Sequence, residues 1–165
     1  MLLENTDKEN EGKEELMVTI REVAVEDAQD IYDLYLEVMN YDYPVKKMKE
    51  MIDVVSKDSG NYIFVAAKQD KVVGVAEVVI KYSIHKDSYL IINTFAVRAA
   101  YQGKGIGSQM LSYIEAFSRK KGLSSVTVGS QFKRVDAHHF YQNNGFEIVK
   151  EHKIFVKKVY PSGHS

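Results

Sequence analysis

The chain has 165 residues, 45% of them hydrophobic and 27% charged, with a formal net charge of −1; that is room for one domain with a real core, and no overall field to draw nucleic acid or an anionic membrane. It has no cysteine, which excludes a disulfide scaffold, a thiol nucleophile and a thiolate-bound metal. Its apolar runs fall far short of the ~20 residues of a membrane span, and the acidic N-terminus has no signal pattern, so the expectation is a soluble cytoplasmic protein without nucleic-acid or membrane partners.

Residues 1–16 carry six acidic and two basic side chains and almost no apolar payload. They read as a flexible acidic extension, with a helical arm docked on a partner as the other reading. From Met17 the pattern changes. MVTIREV alternates as a strand does, and EDAQDIYDLYLEVM places Ala28, Ile31, Leu34, Tyr35 and Val38 at helical spacing. NYDYP ends that helix, because the residue before Pro44 disfavours helical angles. VKKMKEMIDVVSK is a second helix on Met48, Met51, Ile52 and Val55.

After Gly60, NYIFVAAK and KVVGVAEVVIKY flank the turn-like QDK and predict a hairpin, with YLIINTFAV as the next strand of a meander. A helix follows on Ile106, Met110, Leu111, Ile114 and Phe117, closed by basic residues and Gly122. LSSVTVG reads as a strand and RVDAHHFYQN as a short helix. FEIVKEH and KIFVKKV read as two last strands. The expected fold is α/β, a mixed and mostly antiparallel sheet of about seven strands flanked by about four helices. The domain would span 17–160, with 161–165 as a tail.

The helix on Ile106 opens with YQGKGIGSQML, three glycines at every second position. Glycine costs a regular element roughly 0.5–1 kcal/mol relative to alanine, so three together need a reason beyond a tight turn. A helix start offers outward N–H groups and partial positive charge, and removing Cβ atoms lets an anion approach. The stretch therefore predicts a phosphate or pyrophosphate cradle. It is not a Walker A loop, because Lys104 is followed by Gly105. It is not a dinucleotide fingerprint either, because G-x-G-x-G follows a meander rather than a parallel strand.

Gln102-Gly103-Lys104-Gly105-Ile106-Gly107 resembles the [QR]-x-x-G-x-[GA] loop of the GNAT superfamily of N-acetyltransferases. NTFAV before it is similar to that family's fourth strand, and DAHHFYQNNGF resembles its A-x-x-x-Y-x-x-x-G-F segment. The resemblance covers nearly the whole chain and implies a sheet splayed between the strands flanking the loop helix. It also implies an acetyl-CoA site. Backbone amides of Gln102, Gly103, Lys104, Gly105, Ile106, Gly107 and Ser108 would hold the pyrophosphate, and the strand end at Phe95, Ala96 and Val97 would pair with the pantetheine arm. Lys104 would add a phosphate contact or sit in solvent. At the position where many relatives have Asn, this chain has Arg134, which would reach a CoA phosphate or water. Many relatives carry a carboxylate on the fourth strand, where this chain has Asn93 and Thr94.

What the resemblance implies is acetyl transfer from acetyl-CoA to a primary amine by direct attack, with a non-catalytic acyl-CoA-binding module on the same fold as the alternative. Tyr141 would protonate the departing thiolate, its phenol (pKa about 10) donating to the anion of a thiol near 8.5; as a residue alone it reads equally as a core aromatic beside Phe140. Glu77, a charge in mid-strand, faces either the acceptor cleft as general base or the solvent. The backbone N–H near Val97 would meet the oxyanion. In NYDYP, Tyr41 and Tyr43 offer aromatic faces and Asp42 a charge for an ammonium group, or the three form a polar loop tip. His85 reads as a surface residue. His138 and His139 lie about 100° apart on a helix and cannot share a metal, so no metal is expected. Exposed sheet edges suit a homodimer.

Overall fold

The computed structural model describes residues 17–163; the expected extension over 1–16 and the last two residues of the tail lie outside them. The described chain divides into two compact units, the first ending at Gly129 and the second beginning at Ser130.

The first unit is built on a five-stranded sheet: β1 (Thr19–Glu22), β2 (Asn61–Lys68), β3 (Lys71–Lys81), β4 (Tyr89–Val97) and β5 (Val126–Val128), in that spatial order. The first four strands are antiparallel in succession, and β5 runs parallel to β4. Between β2 and β3 the turn residues Gln69 and Asp70 both have positive φ, 48° and 64°, the signature of the two-residue turn whose twist matches a hairpin.

Helix α1 (Ala28–Met39) buries Ala28, Ile31, Leu34 and Tyr35. It stops at Asn40, which takes the left-handed conformation at φ 54° and donates its N–H to the Tyr35 carbonyl. Helix α2 (Val45–Ser56) starts directly after Pro44 and buries Met48 and Ile52. Both cover one face of the sheet, in a core with Val65, Val72, Val75 and Ala96. Helix α3 (Ile106–Lys120) covers the other: Phe64 meets the rings of Tyr113 and Phe117 edge-on at 5.1 and 5.0 Å.

Arg98, one residue past β4, locks this frame. Its amide donates to Val73 C=O at 2.8 Å, Nε to Val72 C=O at 3.1 Å and Nη2 to Asp30 C=O at 3.2 Å. The Asp30 carboxylate in turn accepts the Val72 N–H at 2.9 Å. The first turn of α1, the start of β3 and the end of β4 are thus held by one guanidinium and one carboxylate.

In the second unit, helix α4 (Val135–Asn143) forms as expected. The two last strands do not: residues 147–160 pair with no strand among the described residues, so the sheet has five strands rather than about seven. The alternation is present, yet Ile154 and Phe155 are 83% and 89% exposed. Residue types suit a strand only when a neighbouring ladder receives them, and here none does.

Candidate functional site

β4 ends at Val97, a short 3-10 turn takes Ala99–Tyr101, and α3 begins at Ile106. Between them Gly103 and Gly105 adopt φ values of 73° and 83°, a region that costs an L-residue roughly 1–2 kcal/mol. A Cβ added to either would meet no atom of the described residues within 4 Å. The fold leaves that space open. Gly105 is the N-cap of α3 and supplies no side-chain cap. Gln109 N–H donates to the Gly105 carbonyl at 3.0 Å, so the amides of Ile106, Gly107 and Ser108 precede the helix's own bonding and point out of its end. The dipole adds about half a positive charge there.

Two cations stand beside the loop. Lys104 Nζ lies 5.8 Å and Lys68 Nζ 5.6 Å from the centre of the Tyr101 ring. Gln102 uses its side chain inward, donating from Nε2 to the Val97 carbonyl at 2.9 Å. That strap closes the turn and was not visible in the motif.

The expected splay is present. β5 pairs with β4 at Leu90, Ile91 and Ile92, and among the described residues no strand accompanies Asn93–Val97 on that side. Where the pairing stops, β4 carries a bulge: Glu77 faces Thr94 and Val78 faces Ile92, which leaves Asn93 as the extra residue. Leu90 turns its N–H toward β5, donating to Ser125 at 2.9 Å. Past the bulge, Arg98 donates to β3 and the Val97 carbonyl points away from it, toward Gln102.

Glu77 lies on the α1 and α2 face with Val75, directly across from Thr94 and Ile63. The carboxylate that β4 lacks at Asn93 and Thr94 therefore stands beside that position, on the next strand. Its Oε2 accepts the Tyr35 hydroxyl at 2.6 Å. Burial first, and the Glu77 charge next, push the Tyr35 phenol far above its ordinary value, so it stays a donor. Helical spacing assigned Tyr35 to the core and missed this hydrogen bond. The signal was available, because a buried tyrosine needs a partner for its hydroxyl. Tyr41 meets the Tyr35 ring edge-on at 5.9 Å, and Asp42 accepts the Tyr32 hydroxyl at 2.8 Å. Tyr41 and Tyr43 are 49% and 46% exposed, so the NYDYP loop does present aromatic surface beside Glu77's partner.

Within the second unit, Tyr141 sits on α4, half-buried, its ring against Phe140 and Phe146 at 5.3 and 5.7 Å. Its carbonyl accepts the N–H groups of Asn144 and Phe146, both at 3.0 Å. Burial raises its phenol above the ordinary value, and the positive charge of Arg134 works against that rise. Arg134 occupies the N-cap of α4 and is exposed. His138 Nε2 lies 2.9 Å from the Gln131 carbonyl, and exposed His85 lies 3.0 Å from Ser83 Oγ through Nδ1. Among the described residues no group of three or more His, Asp or Glu is placed to hold a metal ion, and no helix is long and apolar enough to cross a membrane.

Known proteins share both sequence and fold with this chain. It is 24% identical over 139 residues to an aminoalkylphosphonate N-acetyltransferase of Salmonella typhimurium, covering 84% of this chain and 89% of the relative. It is 40% identical over 78 residues to an uncharacterized N-acetyltransferase of Bacillus subtilis, 47% of this chain and 54% of that one. In fold it is similar to a transcriptional regulator from Bacillus halodurans C-125, with a TM-score of 0.77 and 22% identity over 86% of this chain and all (100%) of the other. It is also similar to an aminoglycoside acetyltransferase from an uncultured soil metagenomic sample, with a TM-score of 0.72 and 20% identity over 87% and 97%. Residues 28–146 match the pattern of the Acetyltransferase (GNAT) family, and the chain belongs to that family.

Proposed function

We propose that the chain moves the acetyl group of acetyl-CoA to a primary amine by direct attack. One observation carries the reading: two left-handed glycines under open space at the start of α3, following a strand edge that β5 leaves unaccompanied. A pyrophosphate suits that space because the amides of Ile106, Gly107 and Ser108 and the helix dipole point into it with no Cβ at Gly103 or Gly105, and Lys104 adds a cation at the rim; the Gln102 amide, expected to join them, donates to the Ala99 carbonyl at 3.3 Å instead. The edge at Phe95, Ala96 and Val97 is the length of backbone along which the amide-bearing pantetheine arm would lie.

Bound acetyl-CoA supplies an activated acyl carbon and a thiolate leaving group; the remaining work belongs to this chain. Glu77 takes a proton from the incoming ammonium, directly or through a water, so that the nitrogen lone pair is free to attack. The Val97 N–H meets the charge that builds on the carbonyl oxygen. Tyr141 gives its hydroxyl proton to the leaving sulfur, and Arg134 contacts a CoA phosphate. As the C–S bond breaks and the amide forms, the second proton of the nitrogen returns to the Tyr141 oxygen and Glu77 releases its proton to solvent, so one amide, one thiol and one proton leave. Aminoglycosides and aminoalkylphosphonates, the acceptors named in relatives, are the first classes to offer.

The test is release of free CoA thiol from acetyl-CoA in the presence of pooled amines, with acetyl-CoA affinity measured in parallel by calorimetry. Turnover with at least one acceptor is expected. Tight binding with no turnover across the pool would favour a non-catalytic acyl-CoA-binding module, and no binding at all would remove the cofactor reading too.

A further inference from the structure

Glu77 is an unusual residue for its position. It sits in mid-strand between the buried residues Ala76 and Val78, half-buried itself, on the face that α1 and α2 cover. No ion pair holds it among the described residues. Its hydrogen bond there is the one from Tyr35, to Oε2. Long side chains on a strand sample several rotamers, and a base that samples several is in place only part of the time.

Tyr35 is in contrast fixed. The residue is 8% exposed. Its carbonyl receives the N–H groups of Asn40 and Tyr41 at the left-handed end of α1, the latter at 3.1 Å. The Tyr41 ring closes on it edge-on. A hydroxyl held by a helix end therefore reaches across to the sheet and takes one carboxylate oxygen, leaving Oε1 for the acceptor side.

We infer that Tyr35 is the positioning residue for Glu77: its hydroxyl anchors Oε2 and aims Oε1 at the acceptor nitrogen. The inference rests on the reading of Glu77 as general base given above. The chemistry favours a phenol for this work. A cationic partner stabilises the ionised form of a carboxylate and so weakens it as a base, whereas a neutral donor orients it with less loss. Tyr35 exchanges no proton in the reaction. It keeps its hydrogen while Glu77 receives one from the ammonium on the other oxygen.

The experiment compares Tyr35→Phe, Glu77→Gln and the double variant of the full chain. Acetyl-CoA is the donor, and sisomicin, 2-aminoethylphosphonate and a linear diamine are the acceptors. Tyr35→Phe keeps the ring and its packing. It is expected to lower kcat roughly tenfold with KM for acetyl-CoA within about twofold. In the Glu77→Gln background the same change should alter kcat less than about twofold, because the anchored base is already gone. Losses that multiply, or full kcat in Tyr35→Phe beside an impaired Glu77→Gln, would overturn the positioning role and leave the base intact. An earlier melt of Tyr35→Phe with undiminished kcat would reduce the contact to a buried hydrogen bond. Full kcat in Glu77→Gln, or no turnover by the parent chain with any of the three amines, would overturn the base reading and this one with it.

Discussion

The side-chain amide of Gln102 donates to the carbonyl of Val97 at 2.9 Å, so the residue before the first loop glycine is tied to the last residue of β4. The loop's shape is therefore set by a strap as well as by its glycines. Gln102→Ala is expected to weaken acetyl-CoA binding by about three- to tenfold, the worth of roughly one hydrogen bond. Its melting temperature should hardly move, because Gln102 is exposed. Gln102→Glu should bind more weakly still, since a carboxylate cannot donate to Val97 and would repel phosphate. Parental affinity in both variants would show that the strap is dispensable.

Gly105→Ala separates backbone strain from ligand contact. The new Cβ meets no atom of the described residues within 4 Å, so the cost to the fold is that of the left-handed φ, roughly 1–2 kcal/mol. Acetyl-CoA affinity should fall by about tenfold or more, because the methyl enters the space assigned to the pyrophosphate. Calorimetry and a thermal melt on the same preparation check both. A normal affinity would remove the pyrophosphate assignment.

Tyr141→Phe keeps the ring contacts with Phe140 and Phe146 and removes the hydroxyl. Loss of a proton donor to the departing sulfur should lower kcat by about 10²–10³-fold with little change in KM for acetyl-CoA. Because burial raises this phenol above its usual ~10, it stays protonated through neutral pH. The parent enzyme's basic limb, as far as this group sets it, lies above that value and should disappear in the variant. Retained turnover with an early melt would assign the hydroxyl to packing.

Arg21 and Asp27 predict an acid-sensitive contribution to stability. Nη1 and Nη2 of the guanidinium donate to the two carboxylate oxygens at 2.7 and 2.9 Å, and the Ala24 N–H adds a third bond at 2.7 Å. Burial alone would raise the Asp27 carboxyl, but the bonds from Arg21 and Ala24 outweigh it and hold it below the ordinary range. A folded value below the unfolded one means the contribution is complete above about pH 4 and is lost as the pH falls below that. Asp27→Asn should therefore cost roughly 1–3 kcal/mol near neutrality, and the gap to the parent should close on acidification. A constant gap down to pH 2.5 in denaturant melts would reject this account.

The sequence exposed what depends on local residue order. The runs NYIFVAAK, set off by Gly60 and the QDK turn, and YLIINTFAV coincide with β2 and β4. Of the three glycines, Gly103 and Gly105 take left-handed angles that no regular element uses, whereas Gly107 lies within the first turn of α3. Contacts distant in sequence were less visible. Tyr35 meets Glu77 across 42 positions, and the apolar stripe that placed Tyr35 inside said nothing about its oxygen. The alternation after Phe146 suggested two strands, but alternation specifies a face and not the ladder that must receive it. The bulge at Asn93 also escaped, since a period of two assumes that no residue is surplus.

That surplus residue has a consequence for how the molecule can be edited. Val78 with Ile92 and Glu77 with Thr94 are already successive pairs on β3, so removing Asn93 would join them into an uninterrupted ladder without turning any later side chain to the other face. The sheet has no need of Asn93. What the deletion would erase is the bend that a bulge imparts, one step beyond the last pair with β5 at Ile92 and Val128. A chain lacking Asn93 should melt at least as high as its parent and bind acetyl-CoA poorly. Thermal melts and calorimetry on that single deletion would show that robustness and ligand capacity are set by different residues of one strand.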